Sequence, residues 1–470
     1  MTCDFAQAVW IAEAVSLTVI GLGLAQVLVN LAQLVAAARA LADSPPDAQP
    51  GAVWRSHPQD APPIAILAPA FNEARTIEQS VRSLLSLRYP HFEIIVINDG
   101  STDATLDVLK RAFGLRPVER ACPFTLPHAA VSCVYGGPLH PNLVVIDKVN
   151  GGKADALNAG INFARSPLFC SMDADSILDP DAMIGAVQPF LEDPTRVIAA
   201  GGTVRISNGC LVRNGRVVEQ RPPRNLLALM QSVEYMRAFL LARLALSHVG
   251  ALMIVSGAFG VFKRQAVIDA GGYSTGTVGE DMELIVRLHR FNREQELDYR
   301  IVFVPEPVCW TEAPESLDVL ARQRTRWQRG ALETFARHKD MLFSARYGRA
   351  GAIGLGQVLL IDVLGPIAEL LGYLMIPAFT MMGLVSPDYA LAFLTVTVAF
   401  GISLSIGALV LEEAELRTLP RNRDLFALAF AAVVENFGYR QLNTLWRVQG
   451  FWQWLRKEKS WGAMPRKGFR

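Results

Sequence analysis

Three long apolar stretches constrain this chain more than any other feature, because a helix of about 20 apolar residues is long enough to cross a bilayer core. Residues 10–38 contain one acidic residue, Glu13, and no basic one. Residues 351–385 are interrupted by a Gly-Pro pair, and residues 390–411 carry no charge. The sequence therefore predicts three membrane helices.

Two of the apolar stretches allow a second interpretation. Small residues at 36–42 would permit signal-peptide cleavage, but the stretch before them lacks a basic start and is too long, which favours an anchor. A fourth stretch, residues 425–434, is short and precedes Glu435, so it suits an interfacial or re-entrant helix better than a span. Whether residues 425–446 cross the membrane stays open.

Basic residues flank the predicted spans on one side only. The positive-inside rule then places residues 40–350 and the basic tail in the cytosol, and predicts a multi-pass protein of the cell inner (cytoplasmic) membrane. The flanking residues are Arg39, Arg346, Arg349, Arg417, Arg421 and Arg423.

Composition excludes several other classes of protein. The 45 basic and 44 acidic residues nearly cancel, so no overall field attracts nucleic acid. The six cysteines form no CxxC pair, and neither a zinc site nor a disulfide framework is indicated. No GxGxxG fingerprint and no GxxxxGK[ST] loop occurs, which argues against a dinucleotide fold and a P-loop NTPase.

The middle of the chain has the pattern of an α/β domain. Residues 42–63, rich in Pro, Ala, Asp and Ser, are typical of a linker. Beyond them, apolar runs rich in β-branched residues alternate with helical patterns, which predicts a mostly parallel sheet. Residues 113–141 and 207–224 interrupt this pattern as insertions. The predicted strands are residues 64–68, 92–97, 143–146, 168–172 and 197–200.

Ligands of such sheets bind at the carboxyl ends of the strands, and polar residues follow several of these runs. Asp173 and Asp175 place two carboxylates side by side, which suits Mg²⁺ or Mn²⁺ bridging a diphosphate, although this spacing also recurs by chance in surface loops. Asp99 could accept a hydrogen bond from a uracil imide, and Asn72 with Glu73 could meet ribose or base. Taken alone, these three residues are better explained by turn and capping chemistry.

Two helix starts carry further candidates. Lys153 follows two glycines, where free amides and the ammonium can face a phosphate, although a plain glycine turn fits as well. Glu280 and Asp281 open a helix that runs to Arg290. Asp281 would be a general base towards an acceptor hydroxyl, or merely a complement to the helix dipole.

A later helical stretch combines an indole with polar side chains. Gln323 and Trp327 share one face and Arg326 lies beside them, so Trp327 could hold a sugar ring and Arg326 a phosphate. The alternative is a basic interfacial helix, residues 322–329, on anionic headgroups.

Taken in order, these motifs resemble the processive family 2 glycosyltransferases of the GT-A fold, the cellulose, hyaluronan and poly-β-1,6-N-acetylglucosamine synthases. The resemblance covers roughly residues 62–335 and the flanking helices, and Gly279 departs from the threonine that often precedes the Glu-Asp pair. It implies Asp99 at uridine, Asp281 with Glu280 as the catalytic pair, and Gly257 in an acceptor-side loop. The other implied residues are Asn72, Glu73, Lys153, Asp173 and Arg326 for the donor, Asp175 and Asp173 for Mg²⁺ or Mn²⁺, and Gln323 and Trp327 for the acceptor.

The implied activity is inverting, processive polymerisation of a UDP-sugar into a β-linked exopolysaccharide that is fed across the membrane. Residues 437–446 look most like the poly-N-acetylglucosamine branch, which slightly favours UDP-N-acetylglucosamine over UDP-glucose. Expected partners are the growing polysaccharide, membrane lipid and accessory export subunits. The alternatives are a non-processive transferase acting on a lipid carrier and an inactive nucleotide-sugar-binding subunit of an export complex. Asp362 and Glu369 would line the polymer's path or bond neighbouring helices.

This interpretation divides the chain into five parts. An N-terminal membrane helix (1–41) and the linker (42–63) precede a cytosolic GT-A domain (64–338). An interfacial segment with two membrane helices follows (339–411). The chain then ends in an interfacial or re-entrant helix and a basic cytosolic tail (412–470).

Overall fold

A computed structural model describes residues 2–43, 60–213, 215–416 and 421–458. Most of the predicted linker, Arg417 and the last residues of the basic tail lie outside these described residues.

A ten-stranded mixed sheet forms the centre of the enzyme domain, in the order β3-β4-β5-β2-β1-β6-β11-β8-β12-β7. The central strands β5, β2, β1 and β6 run parallel, as the alternating pattern predicts. A separate hairpin pairs β9 with β10. The strands are β1 Ile64–Ala70, β2 Phe92–Asp99, β3 Arg116–Pro117, β4 Val131–Gly137, β5 His140–Lys148, β6 Leu168–Met172, β7 Ile177–Leu178, β8 Val197–Ile206, β9 Leu211–Arg213, β10 Arg216–Glu219, β11 Phe259–Lys263 and β12 Arg300–Thr311.

Buried β-branched residues explain why these runs form central strands. Ile64, Ile66, Ile95 and Ile97 are wholly inaccessible to solvent, because helices cover both faces of the sheet. The predicted α/β class with a mostly parallel central sheet is confirmed, with antiparallel strands added to the parallel centre. Residues 113–141 are not an insertion outside the sheet, since β3 and β4 within them form its edge.

The helices of the enzyme domain pack around this sheet. One long helical run, residues 226–248, includes a π-helical segment, Arg237–Arg243, between α6 and α7. The domain helices are α2 Ile77–Leu85, α3 Thr105–Phe113, α4 Lys153–Phe163, α5 Ala182–Glu192, α6 Leu226–Met236, α7 Leu244–His248, α8 Arg264–Asp269, α9 Glu280–Glu294 and α10 Leu317–His338.

Among the described residues, three helical segments are long and apolar enough to cross a membrane, as predicted. They are Glu13–Ala42, Ala350–Met381 and Pro387–Glu413. The first belongs to α1 (Thr2–Ala42), the second ends in α11 (Gly365–Met381) and the third to α12 (Pro387–Leu416). Gln33 Nε2 donates to Gln357 Oε1 at 2.8 Å, so a polar contact joins the first two segments.

Two C-terminal helices, α13 (Asn422–Val434) and α14 (Tyr439–Leu455), pack against the enzyme domain. Helix α13 has 13 residues and is about 20 Å long, which is shorter than a bilayer core. Its Leu428 is buried, whereas Phe426 is 76% exposed. This amphipathic arrangement suits the interfacial interpretation of residues 425–434.

Both acids of the second membrane segment bond helix α14. Asp362 Oδ1 accepts from Arg447 Nη2 at 3.0 Å, and Glu369 Oε2 accepts from Thr444 Oγ1 at 2.5 Å. Arg447 also donates to Gln328 Oε1 on α10 at 2.9 Å. These contacts favour the helix-bonding role of Asp362 and Glu369 over a polymer-lining role.

Candidate active site

The carboxyl ends of β5, β2, β1 and β6 meet at one edge of the sheet, because these strands are adjacent and parallel. Six of the twelve predicted residues lie at or just after the ends of these four strands: Asn72, Glu73, Asp99, Lys153, Asp173 and Asp175. The structure therefore gathers into one region motifs that lie far apart in sequence.

Asp99, at the end of β2, is buried and accepts hydrogen bonds on both carboxylate oxygens. Oδ1 accepts from Lys148 Nζ at 2.5 Å and from Gly151 N at 3.0 Å, and Oδ2 accepts from Gly152 N at 2.8 Å. Asn150 adds a weaker contact at 3.2 Å. The carboxylate thus fixes the glycine loop that precedes Lys153.

Lys148 was not predicted as a site residue, although it lies at the centre of this arrangement. Its side chain is wholly inaccessible and its Nζ lies 2.5 Å from carboxylate oxygens of both Asp99 and Asp155. Asp155 in turn accepts from Ala129 N at 2.9 Å. A lysine ending an apolar strand was the signal available in the sequence, since a buried ammonium requires a partner.

Asn72 and Glu73 make local contacts at the end of β1. Asn72 adopts a positive φ of 58°, and its Oδ1 accepts from Thr102 N at 2.8 Å. Glu73 Oε2 accepts from Thr76 Oγ1 at 2.7 Å. Both side chains thus brace neighbouring loops, as in the turn and capping interpretation.

Lys153 begins α4 and joins three other predicted residues. Its Nζ lies 2.5 Å from Asp173 Oδ1, 3.5 Å from Glu280 Oε1 and 3.2 Å from the Gly257 carbonyl oxygen. Burial alone would lower the pKa of the ammonium, but the carboxylates of Asp173 and Glu280 outweigh burial and raise it. Lys153 is therefore a fixed cation among acidic groups. We call Asp99, Lys148, Lys153, Asp155 and Asp173 the strand-end cluster.

Asp281, in the first turn of α9, faces the same loop. Its Oδ2 accepts from Gly257 N at 3.0 Å. A Cβ on Gly257 would lie 2.8 Å from Lys153 Nζ and 3.3 Å from Asp281 Oδ2, so glycine allows both groups to approach. Gly257 thus connects Asp281 to the strand-end cluster.

Gly279 marks a close contact between two helices. A Cβ there would lie 2.9 Å from the Cα of Gly330 on α10. Threonine could not fit here without moving α9 away from α10. This explains why the chain has glycine where the resembled family often has threonine before the Glu-Asp pair. This contact holds Asp281 close to the helix that carries Gln323, Arg326 and Trp327.

Helix α10 presents these three residues in different surroundings. Gln323 is buried, whereas Trp327 is 43% exposed. Burial raises the pKa of the Glu280 carboxyl, and the charges of Lys153 and, to a smaller extent, Arg326 oppose that rise. The Trp327 ring lies 6.4 Å from the Tyr235 ring, and the Arg324 guanidinium lies 4.3 Å above it.

Asp173 and Asp175 are the residues available for a divalent cation. Asp175 is buried at the start of the loop after β6. In the part of the chain that the structure describes, no group of three or more His, Cys, Asp or Glu side chains could form a complete protein cage for a metal. Two carboxylates fit Mg²⁺ or Mn²⁺ held jointly with substrate phosphates, because Mg²⁺ commonly binds proteins in that way.

The sheet and the carboxylates gathered at its edge are those of an α/β enzyme. The profile of glycosyl transferase family 2 matches residues 65–232, and that of glycosyl transferase family group 2 matches residues 168–408, more than half of the chain. The chain therefore belongs to glycosyl transferase family 2, and it is a glycosyltransferase.

Curated relatives include the poly-β-1,6-N-acetyl-D-glucosamine synthase of Staphylococcus epidermidis. It is 30% identical over 284 residues, which are 60% of this chain and 58% of that protein. The synthase of the same name from Staphylococcus aureus is 30% identical over 275 residues, 58% of this chain and 56% of that protein. The matched region thus spans a little more than half the length of these relatives.

A solved structure supports the fold over nearly the whole chain. The mannosyltransferase from Pyrobaculum calidifontis, in complex with GDP-Man and Mn²⁺, matches with a TM-score of 0.56 and 19% identity. The match covers 96% of this chain and 99% of that chain.

Proposed function

We propose that this protein is an inverting, processive synthase of the cytoplasmic membrane that polymerises UDP-N-acetylglucosamine into a β-linked exopolysaccharide. One observation carries the proposal: Asp281 reaches the strand-end cluster through Gly257, while the adjacent helix α10 presents an exposed Trp327. A base therefore lies between a place for the donor and a place for a sugar acceptor. The names of the staphylococcal relatives favour N-acetylglucosamine.

The proposed reaction is a direct displacement. Asp281 removes the proton from an acceptor hydroxyl, whose oxygen forms a bond to the anomeric carbon as the bond to UDP breaks. Attack from the opposite face converts an α-linked donor into a β-linked product. Lys153 and Arg326 stabilise the departing diphosphate by charge. Glu280 lies 3.5 Å from Lys153 Nζ and thereby holds this ammonium close to Asp281.

Asp173 and Asp175 would hold Mg²⁺ or Mn²⁺ beside this diphosphate. Such an ion, when bound, neutralises charge on the phosphate oxygens. Asp173 also bonds Lys153 Nζ at 2.5 Å, so the same carboxylate would hold both the ammonium and the ion.

The remaining predicted residues shape the donor and acceptor places. Asp99 acts on the donor mainly by holding the glycine loop, because four protein groups already donate to its carboxylate. Asn72 and Glu73 brace the rim near the nucleotide. Gln323 and Trp327 receive the acceptor sugar, with the Trp327 indole as a platform.

The membrane helices suggest the path that the growing polymer takes away from the site. Residues 64–338 would form the cytosolic catalytic domain and residues 339–411 the membrane part, so that polymer leaving Trp327 passes towards the bilayer. Membrane lipid and accessory export subunits are the further partners in this arrangement.

A donor screen tests the proposal. The full chain, purified in lipid nanodiscs, is given UDP-N-acetylglucosamine, UDP-glucose or GDP-mannose with Mg²⁺, Mn²⁺ or a chelator, and nucleotide release and product length are measured. We expect metal-dependent UDP release from UDP-N-acetylglucosamine and long products. Single-sugar products on lipid would instead indicate a non-processive transferase. Donor binding without release would indicate an inactive subunit.

A further inference from the structure

The long helical run 226–248 carries a row of three side chains between Trp327 and Asp281. Tyr235, Phe239 and Arg243 follow one another at intervals of four residues, so they lie along one side of the helix. The Tyr235 ring lies 5.7 Å from the Phe239 ring, and the Arg243 guanidinium lies 3.7 Å above the Phe239 ring. We call these three residues the helix stripe.

Arg243 differs from most other cations around this site in its bonding. Its Nη1 is buried and has no hydrogen-bond partner among the described residues. Burial lowers the pKa of the guanidinium to about 10, which still leaves it charged at neutral pH. A buried donor without a partner costs free energy, so an atom of a ligand is its natural partner.

The position of Arg243 separates it from the donor side of the site. Besides burial, the groups that affect its pKa are Asp281 and Tyr235. By contrast, Lys153 bonds Asp173 and lies close to Glu280. Arg243 thus belongs to the row of side chains that leads to Trp327, whose ring lies 6.4 Å from the Tyr235 ring, whereas Lys153 contacts Asp173 and Glu280.

The backbone supports a functional role for this segment. Arg243 ends the π-helical segment Arg237–Arg243, and π-helical turns occur frequently at functional sites. Arg243 is the only cation in the apolar run 238–246, and its charge interacts with that of Asp281.

We propose that Arg243 binds the acceptor chain, donating from Nη1 to a hydroxyl or carbonyl oxygen of its terminal sugar while the Tyr235 and Trp327 rings contact the sugar faces. This inference rests on the proposed function and adds a residue to its acceptor site. Arg243 positions the attacking hydroxyl near Asp281 and takes no part in proton transfer.

The test compares Arg243→Met, Arg243→Lys and a control, Arg224→Met, which removes an exposed arginine just before α6. Each purified variant is assayed for UDP-N-acetylglucosamine binding, for elongation of an N-acetylglucosamine oligosaccharide over a range of concentrations, and for Tm. For Arg243→Met we expect acceptor kcat/KM to fall about 10- to 100-fold, as for loss of a charged hydrogen bond, with donor affinity within twofold. Lysine should restore part of the activity, and the control should match wild type.

The Tm distinguishes a role of Arg243 in acceptor binding from a role in stabilising the fold. Because Arg243 Nη1 has no hydrogen-bond partner among the described residues, replacing Arg243 by methionine should leave the Tm unchanged or raise it. A clear fall in Tm for both variants, or an unchanged acceptor kcat/KM, would overturn the inference. Equal losses of donor and acceptor binding would assign Arg243 to the donor site instead.

The same experiment separates this inference from the proposed function. Wild type that uses another donor contradicts only the choice of sugar, and the variants are then compared with that donor's oligosaccharide. Wild type that transfers no sugar from any donor contradicts both, since no acceptor then exists for Arg243.

Discussion

The strand-end cluster and the helix stripe differ in how their cations are bonded. In the cluster, Lys148 lies 2.5 Å from both Asp99 and Asp155, and Lys153 lies 2.5 Å from Asp173. In the stripe, Arg243 has no ion pair among the described residues and rests on an aromatic ring. One region is bonded within the protein, whereas the other leaves a donor group for a ligand.

This difference suits the two substrates of the proposed reaction. Internal ion pairs fix the glycine loop and Lys153 before a donor arrives, so each donor would meet the same preorganised site. The aromatic faces and the Arg243 guanidinium would hold a polymer while allowing it to slide after each addition. The comparison predicts that mutations in the cluster affect stability and donor binding, whereas mutations in the stripe affect elongation.

The largest effect is expected at the junction of the two regions. Asp281→Asn should lower the rate of transfer by roughly 10²–10⁴-fold, because the amide cannot accept a proton but keeps the shape of the side chain. Donor affinity measured by calorimetry should stay within several-fold. Near-normal turnover would remove Asp281 from the mechanism.

Lys148→Met should have the largest effect on stability. It leaves the buried carboxylates of Asp99 and Asp155 without their shared cation, at a cost of about 3–5 kcal/mol. Thermal unfolding and donor titration should show a lower Tm and weaker binding. Lys148→Met combined with Asp155→Asn should recover part of the Tm, and no recovery would contradict the coupling.

Gly279→Ala tests the contact that brings α9 to α10. The added Cβ would lie 2.9 Å from the Cα of Gly330, and such overpacking costs about 1–3 kcal/mol. The matched control is Gly276→Ala, whose Cβ would meet only the end of the Arg337 side chain at 3.6 Å. Thermal unfolding should show a lower Tm for Gly279→Ala alone, and equal Tm values would refute the close-contact account.

The smallest effect on activity is expected for mutations of Trp327, and these mutations distinguish an acceptor-binding role from a membrane-interface role. Trp327→Ala should remove a stacking contact worth about 1 kcal/mol and shorten the product, whereas Trp327→Phe keeps an aromatic face and should retain partial elongation. Product length on gels and the membrane-bound fraction are the two readouts. Long polymer from a Trp327→Ala protein that detaches from the membrane would favour an interfacial role for this residue.

Much of the fold could be predicted because it depends on local pattern. Apolar length indicated the three membrane segments, and β-branched runs indicated the central strands. Edge strands β3 and β4 were missed because their partly buried residues lack the continuous apolar run of a central strand.

The site was only partly predictable. Asp99 was read as a nucleotide contact, but its bonds to Lys148 and the glycine loop depend on the pairing of β2 with β5. Arg243 belongs to no sequence motif, and its proposed role depends on the absence of a hydrogen-bond partner for Nη1 within the described part of the chain. Sequence spacing cannot show which polar groups a folded protein leaves unbonded.

The stereochemistry of the product made by the wild-type protein tests the central claim most directly. Purified protein is incubated with α-linked UDP-N-acetylglucosamine, and the anomeric configuration of the new linkages is determined by NMR. A single displacement at Asp281 predicts β linkages throughout a polymer of many sugars. Linkages of α configuration would contradict the proposed direct displacement.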